Sequence, residues 1–383
     1  MKKIAIIGGG ISGLYIASLL RQKSNYEITV YEKNNSVNLE KGYGIQLSVN
    51  SIKLLNKIGF QNINIKEKFF PNKVSFYCLK NKNKICDLNI SAFNGTNDKY
   101  TTLQRFTLID FLKNKLPNNL INYNKKVIEI KKESKIIQVV FEDNSSIECD
   151  YLIISDGIFS KTKSLIVRKE IKPKYFNSIA IRGTILKNDL HNIDHNDISL
   201  FLGSNLHSVI YPVNQNGELN FVTILRKTLG DQQLADYNLF NTKEFVSSSL
   251  LEIAKQIDKN IVGNLKDIKC FPIFVSTKIS QPTNKNTFLI GDAFFAFPPT
   301  FAQGASQAIE VAHELYQNFE NKNNQFNKER IKRTKMIDKK SRLNYFVFHL
   351  SNPLMIFVRN LLMRYLVKNS KFINSYLGKI YKD

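Results

Sequence analysis

The sequence predicts an α/β fold in which a mostly antiparallel sheet is inserted into a domain built around a parallel sheet. Three observations lead to this prediction. A glycine-rich turn joins a short β-branched strand to a helix near the N-terminus, two later apolar strands end in Asp-Gly or Gly-Asp, and residues 178–276 alternate as antiparallel strands do. The chain has 383 residues, of which 43% are hydrophobic, so two or three folded domains are expected.

The first of these features occupies the N-terminal segment. Ile4–Ile7 predicts a strand, Gly8–Gly13 fits the pattern G-x-G-x-x-G, and a helix follows. A second predicted strand ends at Glu32, 19 residues after the last glycine. The two lysines and the apolar stretch also imitate a secretory signal peptide. The register of strand, turn, helix, strand and acid instead favours a dinucleotide-binding turn in a Rossmann-like domain.

Each residue type in this turn has a physical role. Gly8 permits the tight bend, Gly10 lets the backbone approach a pyrophosphate, and Gly13 lets the helix pack close to the strand. The N-terminus of the helix then faces the phosphates. Glu32 can accept hydrogen bonds from an adenosine ribose, and its charge would repel a 2′-phosphate.

Two further motifs follow predicted strands. Tyr151–Ser155 is followed by Asp156–Gly157, and Thr287–Ile290 is followed by Gly291–Asp292. The carboxyl ends of parallel strands form the edge at which open α/β sheets bind ligands. A proline-containing loop comes next, and a helix begins at Gly304 whose N-terminal dipole can stabilise negative charge on a ring system.

The order and spacing of these motifs resemble the FAD-dependent aromatic hydroxylases, flavoprotein monooxygenases with the 4-hydroxybenzoate hydroxylase fold. The resemblance covers nearly the whole chain. Further supports are Gly42-x-Gly44-Ile45, Arg105 before Leu108, Arg182–Gly183 and Tyr211–Pro212. It implies FAD as cofactor and NAD(P)H as co-substrate. It also implies hydroxylation or epoxidation of a small aromatic or other electron-rich ring with O2, through a flavin C4a-hydroperoxide.

Two alternatives to the monooxygenase stay open. One is an FAD-dependent reductase or dehydrogenase of the geranylgeranyl-reductase type, and the other is a non-catalytic FAD-binding protein. The chain has Phe295 and Ser306 where the family usually has His and Asn, which keeps the second alternative in view.

The resemblance also assigns residues to the site. The cofactor-binding residues it implies are Gly8, Gly10, Ile11, Ser12, Gly13, Glu32, Lys33, Gly44, Arg105, Val127, Asp156, Asp292, Pro299, Gly304, Ala305 and Ser306. The candidates for the substrate pocket are Gln46, Arg182, His207, Tyr211, Phe295 and Phe297. For His207 and Tyr211 an ordinary place in the core is the alternative. No catalytic side chain is predicted, because the chemistry belongs to the cofactor.

These assignments divide the chain into three parts. We predict an FAD-binding domain formed by residues 1–70, 100–177 and 277–325, and a substrate domain formed by residues 71–99 and 178–276. Residues 326–383 form a C-terminal helical segment. The four cysteines make no CxxC pair, so no metal site is predicted and a reducing cytoplasm is expected.

The charge is concentrated at the C-terminus. The chain has a net charge of +23, and residues 322–383 contain 15 Lys and Arg against three acidic residues. No recognition motif accompanies this charge, so nucleic acid is not an expected partner. Residues 345–366 predict an apolar helix face with basic flanks, which either packs on the FAD-binding domain or lies at the inner face of an anionic membrane. A membrane-crossing helix is not predicted. A monomer and a homodimer are both compatible with the sequence.

Overall fold

The computed structural model describes residues 1–37, 43–133, 136–190, 193–279, 282, 285–321 and 326–381. Gly42, part of the turn that supports the family resemblance, lies outside the described residues. The predicted α/β class and the helical C-terminal region are confirmed. The domain boundaries given above stay a prediction.

The strands of the described residues are, in chain order, β1 (Lys2–Ile7), β2 (Tyr26–Tyr31), β3 (Gly44–Leu47), β4 (Lys68–Phe69), β5 (Lys73–Cys78), β6 (Lys84–Asn89), β7 (Thr101–Gln104), β8 (Ile121–Asn122), β9 (Val127–Glu133), β10 (Ile136–Phe141), β11 (Ser146–Cys149), β12 (Tyr151–Ile154), β13 (Lys174–Leu186), β14 (Ile198–Leu202), β15 (Leu206–Pro212), β16 (Glu218–Arg226), β17 (Lys266–Val275) and β18 (Thr287–Leu289).

The α-helices of the same residues are α1 (Ile11–Leu20), α2 (Val49–Asn56), α3 (Arg105–Asn114), α4 (Lys161–Val167), α5 (Asp231–Ala235), α6 (Lys243–Ile253), α7 (Lys259–Gly263), α8 (Gly291–Phe294), α9 (Gly304–Asn321), α10 (Phe326–Phe348), α11 (Pro353–Leu366), α12 (Ser370–Ile373) and α13 (Lys379–Tyr381).

A parallel sheet carries the glycine turn. Its strand order is β18-β12-β1-β2-β8, and each neighbouring pair is parallel. The strands β1 and β12 read as short apolar runs because both faces of the sheet are covered. α1 packs on one face together with α3 and α9, and the three-stranded sheet β11-β10-β9 packs on the other. The carboxyl ends of β1, β12 and β18 therefore share one edge.

A larger sheet packs beside this domain. Its order is β17-β13-β16-β15-β14-β5-β6, and every pair is antiparallel except β14 with β5. Strand β15 is buried along its whole length. The C-terminal half of α10 and the last residues of the chain cover one face of the sheet, and α6 and α7 cover the other. The small antiparallel sheet β3-β7-β4 lies between the two large sheets.

The C-terminal helices pack across both sheets. The inward face of α10 repeats at intervals of three and four residues, as one helix stripe does. Its buried members include Arg330, Thr334, Ile337, Ser341, Asn344 and Phe348. Among the described residues, no helix is both long enough and apolar enough to cross a membrane.

Candidate functional site

The glycine turn is held by backbone packing that no other residue type allows. Gly8 has a φ of +107°, and a Cβ there would lie 2.6 Å from the carbonyl oxygen of Ser155. A Cβ at Gly13 would lie 2.1 Å from the carbonyl oxygen of Gly8. The Ser155 hydroxyl donates to the carbonyl oxygens of Ile7 and Gly8, at 2.9 and 3.0 Å. These contacts press β12, the turn and α1 together.

Gly10 has a different environment. It is the N-cap of α1, with φ −84° and ψ −174°, and a Cβ there would meet no atom within 4 Å. No side chain caps α1, so its first backbone N–H groups face this open space. Of the neighbouring predicted residues, Ser12 is buried and Ile11 is half-buried. Gly291, at φ +59°, packs so closely on Ser12 that a Cβ would lie 2.5 Å from its Oγ.

Glu32 lies at the end of β2, beside the turn. Its buried carboxylate accepts hydrogen bonds from the backbone N–H of Gly9 at 2.8 Å and of Asn34 at 3.0 Å. Two anchored oxygens still offer lone pairs to a ribose hydroxyl. Val127 is buried at the start of β9, just after Lys125, whose N–H donates to the Glu32 carbonyl oxygen. Lys33 is exposed.

A cluster of opposite charges occupies the carboxyl edge of the sheet. Burial raises the pKa of Asp156, and the buried Oδ1 of this carboxylate has no hydrogen-bond partner among the described residues. Desolvation by the surrounding protein raises the pKa of Asp292 to about 6, although part of its side chain is exposed to solvent. The Arg105 and Lys163 cations oppose that rise. Burial lowers the pKa of Lys163, and the carboxylates of Asp156 and Asp292 oppose that change.

Arg105 connects this edge to the larger sheet. Its pKa is lowered by burial and by repulsion from Arg182, while the Asp292 carboxylate raises it. Arg182, on β13, places its guanidinium 5.7 Å from the ring centre of Tyr43. The Arg182 charge also opposes the rise that burial causes in the pKa of Tyr211. Arg105 therefore lies within electrostatic range of both the carboxyl edge and Arg182, a predicted pocket residue.

Gln46, on β3, contacts Tyr100, which precedes β7, and Tyr211 on β15. Its Oε1 accepts a hydrogen bond from the Tyr100 hydroxyl at 2.8 Å, and its side chain also hydrogen-bonds Tyr211. Tyr100 is hydrogen-bonded in turn to Tyr381 at the end of the chain. Burial raises the pKa of all three tyrosines, so their hydroxyls stay protonated at neutral pH. The sequence indicated Gln46 and Tyr211 but missed their two tyrosine neighbours.

The segment from Gly291 to Gly304 carries Phe295 and Phe297, the remaining predicted residues of the substrate pocket. The rings of Phe295 and Phe297 lie 5.2 Å apart, and both line a narrow cavity of about 10 Å³ with Asp292 and Gly304. That cavity has room for one water molecule at most. Pro299 is exposed in the same loop.

The N-terminus of α9 follows this loop. The N–H of Gln307 bonds the carbonyl oxygen of Gln303, so the amides of residues 304–306, in the first turn of α9, make no hydrogen bond within the helix. A Cβ at Gly304 would meet no atom within 4 Å. Ala305 is half-buried, whereas the Ser306 hydroxyl is fully buried and bonds Ser48 and Ser51. The Ser306 side chain therefore ties α9 to α2, and only its backbone faces the open end.

Two predicted residues lie apart from these groups. A Cβ at Gly44 would lie 2.6 Å from Val213 Cγ1, and the Gly44 N–H donates to Asn220 Oδ1 at 2.7 Å. Packing against the larger sheet therefore accounts for this glycine. His207 is buried against α10, with its Nδ1 2.8 Å from Nε2 of His349. The structure does not bring His207 to Gln46 and Tyr211.

FAD fits the residues of the carboxyl edge. Open space stands ahead of the N-termini of α1 and α9, where their free amides can face a pyrophosphate and a ring system. Asp156 Oδ1 has an unmet hydrogen-bonding capacity, and Glu32 is anchored where a ribose can meet it. No group of three or more His, Cys, Asp or Glu side chains in the described ranges could hold a metal ion.

This geometry is typical of a dinucleotide-binding protein in which a second, larger sheet packs beside the parallel sheet. A family model described as the FAD binding domain matches residues 1–331. The chain belongs to this FAD-binding-domain family.

Curated relatives extend over most of the chain. One is 3-amino-4-hydroxybenzoate 2-monooxygenase PtnB3 of Streptomyces platensis, 25% identical over 317 residues, which are 82% of this chain and 78% of that protein. Another is salicylate hydroxylase of Pseudomonas putida, 22% identical over 340 residues, with 82% and 76% covered. The crystal structure of Klebsiella pneumoniae HpxO with FAD and uric acid superposes with a TM-score of 0.83 at 18% identity. It covers 99% of this chain and 96% of that one, and it shows a shared fold.

Proposed function

We propose that this chain is an FAD-dependent monooxygenase that uses NAD(P)H and O2 to oxygenate a small aromatic ring. The observation that carries the proposal is that Arg105 feels the charges of both Asp292, on the carboxyl edge, and Arg182, on the larger sheet. We infer that a cofactor on that edge would direct its reactive end toward Gln46 and Tyr211, two of the predicted pocket residues. The relatives named above as a monooxygenase and a hydroxylase support the same activity.

FAD, when bound, would supply the redox chemistry, in which a hydride from NAD(P)H and one proton reduce O2 so that one oxygen atom enters the ring and the other leaves as water. The protein binds and orients the cofactor and the substrate and shields them from water. The free amides at the start of α9 favour negative charge on the flavin ring. Phe295 and Phe297 present an apolar wall that excludes water. Because the chemistry belongs to the cofactor, no side chain is proposed as a proton-transferring catalyst.

We propose that the substrate is a ring with an anionic group and a hydroxyl or similar polar substituent. The Arg182 guanidinium can pair with the anionic group, and Arg105 strengthens the positive potential beside it. The hydroxyls of Tyr100 and Tyr211, fixed by Gln46, can hydrogen-bond the polar substituent. Hydroxylation and epoxidation both remain within this proposal.

The proposal is tested by oxygen transfer. The FAD-loaded protein is mixed with NADH or NADPH, a panel of ring substrates and ¹⁸O2, and products are analysed by mass spectrometry. A ring product carrying one ¹⁸O atom is expected. NAD(P)H oxidation coupled to substrate reduction without O2 would show a reductase instead. A protein that binds FAD but never oxidises NAD(P)H would be a non-catalytic flavoprotein.

The substrate class is tested with Arg182→Gln. We expect KM for a carboxylate-bearing ring to rise at least tenfold, while KM for the matching carboxamide changes less than twofold. FAD binding should be unchanged, because Arg182 lies on the larger sheet. An equal rise in both KM values would show that Arg182 has a structural role and not a binding one.

We also propose a cytoplasmic location, at the inner face of a membrane. The four cysteines are free in the structure, and three of them are buried. A reducing compartment keeps such thiols reduced, and NAD(P)H is the proposed co-substrate. The exposed face of α11 supports contact with the membrane surface.

A further inference from the structure

Helix α11 exposes its apolar side chains and buries a charged one, the reverse of an ordinary surface helix. Leu354, Phe357 and Tyr365 are 71%, 65% and 68% exposed, whereas Arg359 is 5% exposed. The other exposed apolar residues of α11 are Met355, Val358, Leu361 and Leu362. A helix on a globular protein normally turns its apolar stripe to the core and its charges to water. The expectation that this face packs on the FAD-binding domain is therefore wrong.

Specific hydrogen bonds hold α11 in this orientation. The buried Arg359 guanidinium donates to the carbonyl oxygen of Val347 at 3.3 Å, at the end of α10. Arg364 Nε donates to the carbonyl oxygen of Ile85, on β6, at 3.2 Å. Asn352 Oδ1 caps the helix by accepting from the N–H groups of Leu354 and Met355. Rolling the apolar face inward would break the two arginine contacts.

The exposed apolar surface extends beyond α11. Leu343 and Phe346, in the last turns of α10, are 54% and 55% exposed. Exposed apolar side chains gathered on one element mark an interaction site more often than scattered ones do. A helix of 14 residues is about 21 Å long, so α11 alone presents a continuous apolar strip.

The positive charge near this apolar strip favours a partner with negative charge. Residues 339–381 contain eight Lys and Arg and no Asp or Glu. Lys339, Lys368 and Lys371 are exposed on either side of α11 in the chain. A second copy of the chain would bring the same positive charge to the contact, and the two copies would repel each other. An anionic lipid surface offers apolar chains and negative headgroups together.

We propose that the exposed face of α11 docks this protein on the surface of an anionic bilayer. The apolar side chains would enter the boundary between headgroups and acyl chains, with α11 in the plane of the surface. The flanking lysines would lie at the phosphate level. This inference does not depend on the proposed oxygenation, since it rests on the exposed surface alone.

The experiment is flotation of the full-length, FAD-loaded protein with two kinds of vesicle. One kind is phosphatidylcholine alone, and the other contains phosphatidylglycerol in addition. We expect at least tenfold more protein to float with the anionic vesicles at low salt, and less as salt rises. Leu354→Glu should reduce that binding at least tenfold, because it places a negative charge in the apolar strip.

Leu251→Glu is the matched control. Leu251 is 70% exposed on α6, nearly the same as Leu354, and the substitution changes the net charge equally. It should leave vesicle binding unchanged, and FAD absorbance reports that both variants are folded. Three outcomes would overturn the proposal. They are absence of binding to anionic vesicles, equal loss in both variants, and lipid-free dimerisation that Leu354→Glu abolishes.

Discussion

Replacing two glycines of the same turn by alanine should separate cofactor binding from folding. A Cβ at Gly10 meets no atom within 4 Å, and its backbone angles are ones that alanine adopts readily. A Cβ at Gly13 lies 2.1 Å from a carbonyl oxygen, so α1 must shift by about 1 Å to relieve the contact. The two substitutions add the same methyl group with opposite consequences.

The magnitudes follow from those environments. Gly10→Ala should change the free energy of unfolding of the apoprotein by less than about 1 kcal/mol, since a weaker N-cap is offset by a less flexible unfolded chain. The new methyl group occupies the space where a pyrophosphate would meet the N–H groups of α1. Losing one or two charge-assisted hydrogen bonds of about 1.5–3 kcal/mol raises the Kd for FAD about 100-fold. Gly13→Ala should cost about 3 kcal/mol of stability.

The assays are FAD titration by fluorescence quenching and urea unfolding of the apoprotein. Gly230→Ala is the control, because Gly230 is also an N-cap with open space around it, at φ −77° and ψ 163°. It should leave the Kd for FAD unchanged. The reasoning is refuted if Gly10→Ala binds FAD within twofold of the wild type, or if Gly230→Ala weakens FAD binding as much.

Three further predictions concern charge. Burial lowers the pKa of His207 to about 3 and that of its partner His349 still further, so the unfolded chain takes up protons below pH 6.5 that the folded chain does not. This pair should therefore cost about 3 kcal/mol of stability between pH 7.5 and 5.5, and urea unfolding of His207→Gln/His349→Gln should show a shallower loss. Glu310 pairs with the buried Arg330 at 2.9 Å and also with Arg333, while Arg330 keeps a second carboxylate, Glu314, at 3.2 Å, so Glu310→Leu should cost about 3 kcal/mol in the same assay, and Glu310→Leu/Glu314→Leu should cost more because it leaves the buried Arg330 without a carboxylate. Asp292 has a pKa of about 6, so if its carboxylate accepts bonds from FAD, affinity should fall severalfold between pH 7 and 5, and Asp292→Asn should flatten that dependence in fluorescence titrations.

The cofactor edge was predictable from local sequence. A strand, a glycine turn and a helix are specified by neighbouring residues, and parallel strands place their carboxyl ends on one edge without further information. Asp156 and Asp292, although more than 130 residues apart, therefore fall at the same edge as the glycine turn. Lys163 joins them through the loop and helix that follow Asp156, and its burial gives no sequence signal.

The neighbours of the predicted pocket residues and the orientation of α11 were less predictable, for a physical reason. Tyr100 meets Gln46 because β7 pairs with β3 in a particular register, and nothing in either segment specifies that register. The sequence of α11 likewise shows an apolar stripe but not its direction. The exposed fractions of its apolar side chains show that the stripe faces outward, and the hydrogen bonds of Arg359 and Arg364 to backbone carbonyls of other elements hold it there.

The small sheet between the two large sheets explains how the carboxyl edge and the predicted pocket residues keep a fixed relation. β3 carries Gln46, and its N-terminal residue Gly44 lies so close to Asn220 and Val213 that no side chain fits. Its partner strand is also fixed, because Thr102 Oγ1 donates to the carbonyl oxygen of Pro212 at 2.5 Å. These contacts hold β3 and β7 against strands β15 and β16 of the larger sheet. Since α3 follows β7 directly and begins with Arg105, the residue that feels the charges of both Asp292 and Arg182 is positioned by the same sheet. We therefore expect the strand pairing to set the alignment of the carboxyl edge with the predicted pocket residues.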